Sequence, residues 1–134
     1  MNSSMVTIKP LLLLQQETVS FLQSSGVGTI GLSLFMAQLP SSPTDAISVS
    51  VQGGDAAVCP HRYNVQVLCR GLEYLATATR AELLNSYLDN HWHQTVNAVG
   101  RFVADHPVGP MYRDANNLFV FTLNYTYVTA VSTA

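Results

Sequence analysis

Charge is what this sequence has least of. Asp, Glu, Lys and Arg make up 10% of its 134 residues, against about 25% in an ordinary soluble domain, and Lys9 is the single lysine. The arginines Arg62, Arg70, Arg80, Arg101 and Arg113 are scattered, and the formal net charge is -2. No basic stripe is available to neutralise successive phosphates, which argues against tight nucleic-acid binding by one chain. Cysteine is scarce too: Cys59 and Cys69, with no secretory signal ahead of them, read as free thiols of a reducing compartment. Long apolar runs are missing. Leu11 to Leu14 is followed at once by Gln15, Gln16 and Glu17, too short a run for a signal-peptide core or a bilayer span, so a soluble, unexported chain with no membrane partner is expected.

What is present is apolar or polar without charge, with 48% hydrophobic residues. Desolvating Ser, Thr, Asn or Gln costs less than desolvating a charge, and lysine is depleted at interfaces, so this surface is suited to assembly. The length fits one domain over residues 1–134, with room for a core but not for separate cofactor and substrate domains.

Apolar residues Leu11, Leu14, Thr18, Phe21 and Leu22 recur at helical spacing after Pro10, with Gln15, Gln16 and Glu17 between them. Gly26 suits the position just past that helix. It opens Gly26-Val27-Gly28-Thr29-Ile30-Gly31, a match to the GxGxxG spacing, with Asp45 further on as a nominal ribose partner. A dinucleotide turn needs a strand before it and a helix after it. Here a helix precedes and the alternating Leu32 to Met36 follows, so the glycines read as a cap and bend, and no cofactor is expected.

Ile47 to Gln52 and Tyr63 to Cys69 alternate with period two and predict an antiparallel pair. Arg70-Gly71 leads to a helix from Leu72 to His91, with Leu72, Leu75, Ala76, Thr79, Leu83 and Tyr87 as its inward stripe and Glu73, Glu82 and Asp89 on its wet side. Val99 to Ala104 is a further strand. In the closing strand, Leu118 to Val131, Phe119, Phe121, Leu123, Tyr125 and Tyr127 share one face, and an edge position would expose them. The fold class expected is α+β, a mostly antiparallel sheet of about four to five strands with two helices on one face.

Candidate chemistry is sparse. His91 and His93 with Cys59 and His61 offer zinc-ligand types, but the spacing is not that of a metal knuckle, and histidine at a helix C-terminus is the simpler reading. No serine or cysteine stands in a nucleophile-elbow or triad context, so no catalytic residue and no metal site are assigned.

The order of elements carries a resemblance. The amphipathic helix leads to Leu34-Phe35-Met36-Ala37-Gln38-Leu39-Pro40 and a Ser/Asp turn. The strand Ile47 to Gln52 closes on Gly53-Gly54, and Val65 to Gly71 runs into a helix containing Tyr74 before the closing aromatic strand. This series resembles the tail-terminator proteins of long-tailed bacteriophages, also known as minor capsid or minor tail proteins. The resemblance implies a non-enzymatic, hexameric homo-oligomer ring in the neck of the virion. Such a ring caps the tail-tube protein, stops tube growth and meets the head-tail connector or head-closure protein, while genome DNA passes its lumen without sequence-specific binding. It equally fits a head-closure or adaptor ring; a small ligand-binding or catalytic α/β domain is the alternative of another class, and would need a convergent polar pocket. On the ring reading, Ser48, Ser50, Gln52, Asn64 and Gln66 face a neighbour or the lumen, and the long loop Gly53 to Arg62, with Asp55, His61 and Arg62, projects toward a neighbouring subunit or ring.

Overall fold

The computed structural model describes residues 10–52, 62–94 and 98–132. Helix α1 spans Pro10–Ser24, and Gly26 beyond it adopts φ +86°. The Gly26 amide donates to the Gln23 carbonyl (3.0 Å) and the Val27 amide to the Leu22 carbonyl (3.3 Å), the paired bonds of a Schellman cap. Gly31, at φ +84°, turns the chain again, and strand β1, Leu34–Met36, follows. Helix, glycines, strand is thus the observed order, the reverse of a dinucleotide turn.

Strands β2 (Ala46–Gln52) and β3 (Arg62–Gly71) form the expected antiparallel pair, Val49 opposite Val67 and Val51 opposite Val65. Helix α2 (Tyr74–Leu88), β4 (Trp92–Gln94), β5 (Ala98–Ala104), β6 (Met111–Arg113) and β7 (Phe119–Ser132) complete an α+β fold. The sheet has seven strands in the order β1-β2-β3-β7-β5-β4, with β6 also on β7. This corrects the expectation of four to five strands: β1 falls within the alternating Leu32 to Met36, but β4 and β6 have three residues each and are too short to show alternation. The sheet is also mixed: β1 lies parallel to β2, with Phe35 opposite Ser48.

Strand β7 is central, not an edge. It pairs with β3 on one side and with β5 and β6 on the other. Its Phe121, Leu123, Tyr125 and Tyr127 are buried in a single core with Val49, Val51, Val65 and Val67 of the sheet, Leu14, Val19 and Leu22 of α1, and Ala81, Leu84 and Leu88 of α2. Both helices therefore cover one face, as expected.

Helix α1 reaches both margins of the sheet. At the β2 margin Gln15 Oε1 accepts a hydrogen bond from the Val51 amide (3.1 Å). At the β4 margin Glu17 Oε1 lies 2.6 Å from His93 Nε2, and Phe21 stacks on His91 with ring centroids 3.9 Å apart. The sequence pattern set Gln15 apart from the apolar stripe; the strand amide left bare beyond β1 draws it inward, since a buried N–H needs a partner.

Helix α2 corrects the expected stripe. It buries Thr77, Ala81, Leu84 and Leu88, while Leu72, Leu75 and Leu83 are 65%, 76% and 46% exposed. Apolar residues lie on both sides of this helix, so periodicity admits two rotations. Close approach decides between them: a Cβ at Gly71 would collide with the Thr77 side chain, so the small face of α2 sits against the end of β3.

Gly100 lies at a register irregularity of β5, and a Cβ there would run into the Tyr127 ring, whereas one at Gly28 would meet Ser33 Oγ at 3.0 Å and Leu34 Cβ at 3.3 Å. Gly100→Ala should destabilise the protein by about 1–3 kcal/mol and Gly28→Ala by less, as urea midpoints will show, with no nucleotide dependence in either.

Candidate functional site

The sheet face opposite the helices carries the alternate residues of β2, β3 and β7. Ser50 pairs with Gln66, Gln52 with Asn64, and Gln66 with Asn124. The register thus gathers Ser50, Gln52, Asn64 and Gln66 on one surface, with Arg62 exposed at its end. Ser48 shares the face but is only 2% exposed, beneath the surface and not on it. Asp55 and His61, with the rest of the loop 53–61, lie outside the described residues.

A concavity of about 340 Å³ opens among Gln52, Asn64, Gln66, Asp105, His106 and Asn124. Asn124 Nδ2 lies 2.9 Å from His106 Nε2, and His106 Nδ1 lies 2.7 Å from the Pro107 carbonyl. A neutral ring with its proton on Nδ1 satisfies both, donating to the carbonyl and accepting from the amide. The Thr126 hydroxyl donates to Asp105 Oδ1 (2.7 Å), and the Asp105 amide donates to the Asn124 carbonyl (2.9 Å). These bonds pin the β5–β6 connection against β7 and fix the rim of the hollow.

The sequence reading missed Asp105, His106 and Asn124 as parts of this surface. Asn124 was legible, since it alternates with Thr122 and Thr126. Asp105 and His106 read only as a strand terminator, and nothing local shows that the chain brings them beside β3. The resulting wall is rich in carboxamides, which offer donors and acceptors without the desolvation penalty of a charge.

The other candidate groups are accounted for by packing. Cys69 is wholly buried, with Sγ 3.8 Å from the Thr77 carbonyl. Burial pushes its thiol up to about 11, outweighing the opposing pull of Arg80, so the reactive thiolate is suppressed. His91 and His93 do not end a helix, which corrects the expectation: α2 stops at Leu88 and the chain enters β4. His91 lies against Phe21, and burial, reinforced by His93, lowers its pKa below the ordinary 6.5. Among the described residues its Nε2 has no hydrogen-bond partner. Cys59 lies outside the described residues, and among the described residues no three His, Cys, Asp or Glu side chains cluster to hold a metal. None of the described helices is long and apolar enough to cross a membrane.

The two-helix α+β scaffold thus carries an open face lined mainly by carboxamides and hydroxyls, with Arg62 and Asp105 at its margins. Residues 21–130 match the family described as bacteriophage tail terminator protein, and the chain belongs to that family. No curated protein matches it. Membership places the protein among structural components of the phage tail.

Because His91 binds its proton less readily folded than unfolded, the unfolded chain takes up more protons as pH falls below 6.5. Stability should therefore be full above 6.5 and decline with acid below it, and His91→Phe should flatten that decline in urea titrations at successive pH values. In a Cys59→Ser background, Cys69 should resist a thiol reagent at pH 8 until denaturant is added; prompt labelling of the folded protein would contradict its burial.

Proposed function

We propose that the protein forms a closed homo-oligomeric ring, hexameric in number, that caps the last ring of the tail tube, halts its growth and presents a surface to the head connector. The observation that carries this reading is the match to the tail terminator family across residues 21–130. Composition supports it. A ring subunit desolvates two different flanks, and a chain with 10% charged residues does so at small electrostatic cost. The wall of Ser50, Gln52, Asn64 and Gln66 supports it as well, as a polar surface for a neighbour or for a lumen that DNA crosses without adhering. The protein acts by contact, without a cofactor or a reaction.

Native mass spectrometry and electron microscopy, of the protein alone and mixed with tube protein, should show closed rings and tubes of limited length. A strictly monomeric species in both conditions, with tube growth unaffected, would sink the proposal. The double substitution Asn64→Asp, Gln66→Glu separates the two uses of the polar wall. If the wall meets a neighbour, ring formation should fall on the order of tenfold or more with an unchanged unfolding midpoint. If it lines the lumen, rings should form normally.

A further inference from the structure

Helix α2 and the chain leading into it present a second apolar face. At 3.6 residues per turn, Leu75, Thr79 and Leu83, with Leu72 and Ala76 beside them, lie about half a turn from the buried Thr77, Ala81, Leu84 and Leu88. All five are exposed. A helix that is apolar on opposite sides is normally enclosed from both, and here, among the described residues, only the sheet covers it. Exposed Glu82 borders this outer face.

A second uncovered patch lies at the β4–β5 margin, on the side of the sheet away from the helices. Trp92 pairs with Arg101 and is 60% exposed, with Val99, 38% exposed, on the same face. The Arg101 guanidinium sits over the Trp92 ring, 5.5 Å from its centroid. This patch is apolar with a cation, whereas the outer face of α2 is apolar with an acid.

We infer that the outer face of α2 docks on the Trp92–Val99–Arg101 patch of a second copy of this chain. The inference rests on the ring reading above and names its contact. The charges are opposite in sign, Glu82 toward the second copy's Arg101. The geometry repeats the layering inside the subunit, a helix laid on a sheet, so that each sheet margin gains cover on its bare side. Because the two patches differ, the contact is heterologous, the kind that propagates from copy to copy and closes into a ring. An antiparallel contact of α2 with α2 would instead set the Glu82 flanks against each other.

The test uses the full chain, with the wild type in the same experiment. Leu75→Glu lies on an exposed face, so its unfolding midpoint should be unchanged while the ring fraction in native mass spectrometry falls at least tenfold. Glu82→Arg and Arg101→Glu should each weaken assembly, and the two together restore it. In a Cys59→Ser background, chains carrying Leu75→Cys mixed with chains carrying Trp92→Cys should give a disulfide-linked heterodimer under mild oxidation. Wild-type rings that persist in Leu75→Glu overturn this contact and leave the ring reading standing; a wild type that stays monomeric alone and with tube protein fails the ring reading itself. Efficient linkage of Leu75→Cys chains to one another means self-docking of α2. Intact rings that no longer bind tubes mean that the tube protein covers this face. Either result overturns the proposal.

Discussion

One helix ties together strands that lie far apart in the sheet. Helix α1 bonds β2, next to the edge strand β1, through Gln15 and the edge strand β4 through Glu17, residues two apart on the same helix but acting toward opposite ends of the strand order. Magnitudes separate two roles. Burying Leu14, Val19 and Leu22 contributes roughly 1.5–3 kcal/mol each, against about 0.5–1.5 kcal/mol for a hydrogen bond such as Gln15 to Val51. Burial holds the helix on the sheet, and the polar pair sets where along the sheet it rests. Beside it, α2 fills the remaining length of the same face, and Tyr125 reaches from β7 to Asn85 of α2 with a 2.6 Å bond.

Polarity is distributed with similar economy. Buried Arg70, at the end of β3, donates from Nε to the Thr44 carbonyl (3.0 Å) and from a terminal nitrogen to the Pro43 carbonyl (2.7 Å), so its charge is used to anchor the loop before β2. Asp45 beside it accepts from the Leu72 amide and pairs with Arg80. With those charges engaged within the subunit, the middle of the open face is carboxamides and hydroxyls, and Arg62, Arg101 and Asp105 stand toward its margins. Such groups offer donors and acceptors that cost less to desolvate than ions do.

The long alternating strands and the first helix were legible in the sequence because their periods are local properties: Ile47 to Gln52, Tyr63 to Cys69 and Phe119 to Tyr127 each lie in a single element. The rotation of α2 was not, because Leu75 and Leu84 are the same residue type and only the fit of Thr77 against Gly71 decides which side turns in. The polar wall was half legible. Ser50, Gln52, Asn64 and Gln66 follow from alternation, while Asp105 and His106 join them through the pairing of β5 with β7, a relation between distant segments that no local pattern carries. His91 and His93 were misplaced for a related reason, since three-residue β4 takes its identity from β5 across the ladder.

The place of β7 sets the order in which this protein can come into being on the ribosome. The middle of the sheet is supplied by the strand that follows all the others in the chain, so β3 and β5 emerge long before the strand that joins them. Until then the two halves hold unpaired edges and an apolar face with nothing to close it, and the Glu17–His93 link waits across 76 residues. Folding of such non-local contacts runs on the scale of milliseconds to seconds, while synthesis proceeds at about 5–20 residues per second. The fold is therefore completed late and nearly at once, and a chain broken off before Phe119 lacks the centre of its sheet.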